Sequence, residues 1–236
     1  MVARETLEIL EQGLYRNPAG EEVHIAPLLD CAISNSVHYS PDMLNEAREC
    51  REMNTRTDEA QSELEIEVVN QKTLGAARRL SCGESRRSIL CLSFASAKNP
   101  GGGFLGGSEA QEESLARSSG LYACISQMTE MYEANRACGT SLYTDNMIYS
   151  PGVPVFRDER GELLDSPHLV SIITAPAPNA GAVLVNEPHY IDKIEGTLLG
   201  RAEKVLSVAA IHGERNLILG AWGCGVFRRM LDTGDA

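Results

Sequence analysis

The chain changes its hydrophobic period several times, and each change marks an element. In "MVARETLEILEQGLY", Leu7, Ile9, Leu10 and Leu14 recur at helical spacing among charged residues, which predicts an amphipathic helix. "EEVHIAPLL" suits a short strand. "SPDMLNEARECREM" predicts a helix opened by Ser40 with Pro41 at its first position. "ELEIEVVN" alternates Leu64, Ile66 and Val68 with Glu65 and Glu67, the period of a half-buried strand. "QKTLGAARRL" follows as a helix, and "RSILCLSFAS" is a nearly unbroken apolar run of strand length, expected to be buried on both faces.

From Ser108 a helical pattern carries to about Glu133. "MIYSPGVPVFRD" is interrupted by Pro151, Gly152 and Pro154 and predicts short extended pieces. "HLVSIITAPAPNAG" predicts a buried strand running into a proline-rich loop. A helix over "PHYIDKIEGTLLGRAEKVLSVAAIHG" has Pro188 near its start and Gly213 at its end. "NLILGAWGCGVF" predicts a last buried strand entering a glycine loop. Apolar strands alternating with helices specify an α/β layer fold with helices on both faces of a sheet. In such sheets ligands bind beyond the carboxyl ends of strands. Both glycine loops, Gly101–Gly107 and Gly220–Gly225, follow such strands.

Composition narrows the function. The formal net charge is −12, unsuited to general DNA or RNA binding, which draws its affinity from Lys and Arg on phosphates. An anionic ligand would be held by local devices, backbone N–H groups and helix N-termini. The seven cysteines are odd in number and form no CxxC pair, and the five histidines are scattered, so free thiols are expected and a metal site is not. No apolar run reaches membrane-spanning length and the start lacks a signal-peptide pattern, so a cytoplasmic location without membrane partners is expected.

The candidate chemistry lies in "KNPGGGFLGGSEAQEESLARS". Ser108 precedes Gln111 by three residues, a capping-box spacing that predicts a helix starting at Ser108. Two readings fit: a flexible loop feeding a helix whose Glu109, Glu112 and Glu113 complement its dipole, or a backbone cradle for a diphosphate. A glycine-rich turn by itself does not separate them, and no GK[ST] follows to make a Walker A loop. In the second loop, Trp222 is expected in the core, and Phe227 suits either packing or a nucleoside contact.

A glycine triplet followed after seven residues by Gln-Glu-Glu resembles the signature of poly(ADP-ribose) glycohydrolases. "NPGGGFLGGSEAQEESLARSSGLY", "YTDNMIYSPGVPVFRD", "SIITAPAPNAGAV" and "LGAWGCGVF" resemble the bacterial branch in the same order. The resemblance implies a macrodomain-like mixed β-sheet sandwiched between helices, as a single domain over 1–236. Residues 1–60 would be an N-terminal helical extension, and 61–236 the ADP-ribose-binding core. It implies hydrolysis of ribose–ribose O-glycosidic bonds, with poly(ADP-ribose), ADP-ribose and ADP-ribosylated proteins as partners and no cofactor or metal. By the same resemblance Glu113 is the general acid/base and Glu112 positions the ribose. Gly101, Gly102 and Gly103 form the catalytic loop, with Gln111 and Asn99 on the substrate side. Gly223, Gly225, Val226 and Phe227 form the diphosphate-binding loop.

Elementary geometry constrains these roles. Adjacent helical residues point about 100° apart, so Glu112 and Glu113 do not face each other across one bond. A single acid/base, Glu113, is expected, with its acid role developing chiefly when substrate is in place. The family pattern continues past the second loop through a helix and a final strand, whereas this chain ends nine residues after Phe227, so a shortened sheet with an unpaired edge is expected. An ADP-ribose-binding macrodomain without turnover and a hydrolase of mono-ADP-ribose adducts are the alternatives.

Overall fold

The computed structural model describes residues 2–46, 49, 64–81 and 88–225. The chain opens with α1 (Val2–Gln12), the hairpin strands β1 (Leu14–Arg16) and β2 (Glu22–His24), and α2 (Ala26–Ser34). β3 (Val37–Tyr39) and α3, described over 41–46, precede α4 (Thr73–Ser81) and β4 (Ile89–Phe94). A 3-10 turn (Phe104–Gly106) leads to α5 (Gln111–Ser118), α6 (Leu121–Ser126) and α7 (Thr129–Ala137). The long strands β5 (Met147–Arg157) and β6 (Leu163–Ala175) follow, then α8 (Ala180–Asn186), a 3-10 segment (Pro188–Lys193), α9 (Ile194–Ile211) and β7 (Asn216–Ile218).

The main sheet has five strands in the order β3-β5-β6-β4-β7. β4 runs parallel to both neighbours, β6 and β7, while β5 is antiparallel to β3 and β6. β4 alternates its side chains between two apolar layers. Ile89 and Cys91 join Leu115, Leu121, Ile125, Met131 and Tyr132 on one face; Leu90 and Leu92 join Leu198, Val205, Val208 and Trp222 on the other. This is the mixed sheet between helices that the resemblance implied. The amino-terminal segment is not purely helical: it contains a hairpin, its Tyr15 and Ile25 pack on Phe156, and β3 belongs to the main sheet.

Five differences from the sequence expectations have local causes. Residues 64–69 form no strand; Leu64 and Val68 are 81% and 95% exposed. A period of two states which side chains would share a face, and no described strand pairs with this segment to bury them. The helix expected from Ser108 to Glu133 is three helices. Ser119 is extended and bridges to Val155, and the Gly120 N–H bonds the Pro154 carbonyl 2.9 Å away. A Cβ on Gly120 would lie 2.7 Å from Leu29, so the break brings the backbone against α2. "MIYSPGVPVFR" is one strand, because bulges between Ser150 and Val153 and between Val155 and Arg157 absorb its irregular residues, Gly152 at φ +57° among them. The expected strand at "EEVHIAPLL" ends at His24, and Pro27 stands in the first turn of α2. β7 is a three-residue edge strand rather than a buried one, with Leu217 exposed.

Ser40 does open a helix, its Oγ lying 3.4 Å from the Met43 N–H. Among the described residues no helix is long and apolar enough to cross a membrane. The described cysteines, Cys31, Cys91, Cys124, Cys138 and Cys224, are free thiols.

Candidate active site

Three parallel strands end on the same side of the sheet, so the segments after Phe94, Ala175 and Ile218 meet there. The first is the glycine loop that feeds α5. It does not begin with the expected cap at Ser108: α5 starts at Gln111, and its N-cap, Ala110, makes no side-chain cap. Gln111 turns instead to the strand. Its Oε1 accepts the Phe94 N–H at 2.9 Å, and its Nε2 donates to the Leu92 carbonyl at 2.8 Å and to Thr73 Oγ1 at 3.2 Å. The amide replaces a lost backbone partner where β4 stops, and fixes the first turn of α5 against strand and α4. Gln111 is thus engaged by the fold at both polar atoms of its amide.

With α5 fixed there, Glu112 and Glu113 point inward. Both are buried, 3% and 9% exposed, an uncommon state for adjacent carboxyls. Glu112 Oε2 accepts the Ser96 N–H at 2.6 Å, and its Oε1 has no hydrogen-bond partner among the described residues. Glu113 Oε1 accepts the Gly103 N–H at 3.0 Å. Burial pushes Glu112 up to about 8; backbone hydrogen bonds from Ser96 and Gly101 oppose the rise, and the charge of Glu113 adds to it. Glu112 therefore holds its proton into the neutral range.

The glycine triplet is set by these carboxyls. Gly101 and Gly102 have φ of +68° and +58°. A Cβ on Gly102 would overlap Glu113 Oε1 and lie 3.0 Å from Glu112 Oε2, and one on Gly103 would lie 2.5 Å from Ser108 Oγ. The carboxyls thus close around a backbone that carries no side chain. The Gly102 N–H bonds the Asn99 carbonyl at 3.0 Å, and the Asn99 N–H bonds Ser96 Oγ at 3.2 Å, leaving the Asn99 side chain exposed at the rim. Sequence reasoning overlooked Ser96, whose amide holds Glu112 and whose hydroxyl turns the loop; a small polar residue just past a strand end was the available signal.

The second glycine loop packs alongside. A Cβ on Gly220 would meet the Phe94 ring at 2.8 Å, and one on Gly223, at φ +81°, would meet Ala177 at 3.1 Å. Trp222 is buried in the core as expected and donates its indole N–H to the Ala175 carbonyl at 3.2 Å. Gly225 is exposed, and among the described residues no atom lies within 4 Å of where its Cβ would stand. Val226 and Phe227 lie outside the described residues. Phe94 links the two loops: its N–H is held by Gln111 and its ring underlies Gly220. Among the described residues no group of three His, Cys, Asp or Glu side chains is placed to hold a metal ion.

The fold has close counterparts among solved structures. Poly(ADP-ribose) glycohydrolase from Thermomonospora curvata is 46% identical, with a TM-score of 0.89 over 97% of this chain and 81% of that one. The same protein bound to the inhibitor ADP-HPD gives 45% identity and a TM-score of 0.87, over 97% of this chain and 80% of that one. Poly(ADP-ribose) glycohydrolase from Deinococcus radiodurans, in complex with ADP-ribose, gives 46% identity and a TM-score of 0.79, over 86% of this chain and 79% of that one. Among curated proteins no significant relative is found. The microbial-type PARG catalytic domain matches residues 3–158, a span that includes β4, the glycine triplet and both buried glutamates, and the chain belongs to that family.

Proposed function

We propose that this chain is a poly(ADP-ribose) glycohydrolase that cleaves ribose–ribose O-glycosidic bonds and releases ADP-ribose, with Glu113 as general acid/base. The observation that carries the reading is the pair of buried carboxyls folded around the bare backbone of Gly102 at the end of β4. The ligand class follows the ADP-ribose and ADP-HPD complexes of the solved relatives.

Glu113, oriented by the Gly103 N–H, gives a proton to the leaving ribose oxygen as the anomeric C–O bond breaks. Water adds to the anomeric carbon and returns a proton to Glu113, so the carboxyl ends as it began. Glu112 takes a ribose hydroxyl, and the proton it keeps spares the pair a second negative charge beside the substrate diphosphate. The diphosphate lies along Gly223, Gly225, Val226 and Phe227, with Gly101–Gly103 against the scissile bond and Asn99 at the ribose rim. The working unit is one macrodomain-like domain, and its acidic composition and free thiols suit the cytoplasm.

The test is hydrolysis of labelled poly(ADP-ribose) on an automodified protein. Free ADP-ribose with the protein-linked unit left behind is expected. Release of that last unit would mark a mono-ADP-ribose hydrolase, and binding without release a reader. Glu113→Gln should lower turnover by roughly 10²–10⁴-fold while ADP-ribose binding persists; a wild-type rate would remove Glu113 from its role.

A further inference from the structure

Away from the glutamates, a cavity of about 280 Å³ opens between the β5–β6 hairpin and α4. Leu74, Gly75 and Arg78 line it from α4; Arg157, Asp158, Glu159, Arg160 and His168 line it from the hairpin and β6. The bulge between Val155 and Arg157 turns Arg157 inward, where its side chain is 3% exposed. Its Nη1 donates to the Gly161 carbonyl at 3.0 Å, and its Nη2 lies 2.8 Å from Glu5 Oε2. Arg157 Nε, Arg157 Nη2 and His168 Nε2 are buried without a hydrogen-bond partner among the described residues, and of these Nη2 has the Glu5 ion pair. Leaving two nitrogens unsatisfied in one wall costs free energy unless something completes them.

The charges around the cavity are unevenly spent. Asp158 is taken up by its own turn, its Oδ1 accepting the Arg160 and Glu162 N–H groups at 2.8 and 2.9 Å. Glu5 is committed to Arg157. Arg78 and Arg160 make no ion pair among the described residues, and burial, with the Arg78 charge adding to it, holds the His168 imidazole below its ordinary pKa. Glu159 is the remaining acid, and its carboxylate packs over Gly75, 3.0 Å from where a Cβ would stand. An exposed carboxylate already rests at the mouth of this basic wall.

We propose that this cavity is a second oxyanion site, which takes a phosphate or diphosphate group in place of the Glu159 carboxylate. Arg78 and Arg160 supply the unpaired charge, and Arg157 Nε and His168 the buried nitrogens. The anion has two possible sources: free in solution, or a diphosphate along a poly(ADP-ribose) chain whose end occupies the glutamate site. The second source rests on the glycohydrolase reading; the first does not.

The test is a titration of the protein with inorganic phosphate and pyrophosphate at low ionic strength, followed by the imidazole NMR signals of His168. Saturable shifts and a higher titration midpoint for His168 are expected. The double variant Arg78→Ala/Arg160→Ala, at two exposed positions, should weaken binding roughly tenfold or more, with thermal stabilisation by ADP-ribose unchanged. Unmoved signals at millimolar anion, or equal shifts in the double variant, would overturn the site. If the double variant raises KM for long polymers over short ones, the chain diphosphate is the ligand. If both KM values hold while pyrophosphate binding is lost, the free anion is. Loss of all turnover in the wild-type protein would sink the glycohydrolase reading and leave the His168 titration standing.

Discussion

The two glycine loops reach the same end of the sheet, but their glycines answer to different neighbours. In the first loop the missing Cβ makes room for carboxyls: Gly102 lies against both Glu113 and Glu112. In the second it makes room for packing, since Gly220 lies on the Phe94 ring and Gly223 on Ala177, while Gly225 meets no described atom. A glycine next to a carboxyl leaves room for that carboxyl, and one next to a ring leaves room for packing. The sequence prints all of them with the same letter.

Substitution should separate these classes. The largest effect is expected for Gly102→Ala, because φ is +58° and the new methyl overlaps Glu113 Oε1. Displacing that carboxyl should cut kcat by about 10²-fold, measured on purified, folded protein; activity within a few-fold of wild type would break the contrast.

Next comes the pH dependence of stability through Glu112. Its folded pKa of about 8 stands above its unfolded value, so the folded state holds a proton that the unfolded state has released. Its contribution is fully present below the unfolded pKa, declines as pH rises, and is gone above the folded value. Glu112→Gln should remove a slope amounting to a few kcal/mol, ~1.4 kcal/mol for each pH step between the unfolded and folded pKa. Denaturant titrations of both proteins between the two pKa values check this, and parallel curves would count against it.

Smaller still is Gly220→Ala, which crowds Phe94 and should cost about 1–3 kcal/mol with turnover little changed. Gly225→Ala should leave stability within about 0.5 kcal/mol yet raise KM, if the loop holds the substrate diphosphate as proposed, since no described residue lies against Gly225. A stability loss larger than that of Gly220→Ala would invert the comparison.

The apolar strand β4, the glycine loop after it, and the core position of Trp222 were legible in the sequence because each is a local matter of hydrophobic run or turn chemistry. What could not be read locally was decided by distant partners. The break at Ser119 depends on Pro154 and Leu29, and the exposure of Leu64 to Val68 on the lack of a described strand beside them. Gln111 shows the same limit within the site. Its spacing from Ser108 fits a capping box, but the backbone at the end of β4 offers its amide two partners, and those bonds won.

The pairing of β4 has a further consequence, for the order in which the molecule is made. Both of its neighbours, β6 and β7, lie later in the chain. As the polypeptide leaves the ribosome, β4 and the glutamates on α5 emerge with neither edge of the strand paired. One side of β4 waits until β6 has been made, and the other waits for β7. Such long-range parallel pairing is slow, and an apolar strand waiting for it is a target for aggregation or chaperone capture. The segment that brings the two carboxyls together is thus an early product of synthesis and a late product of folding.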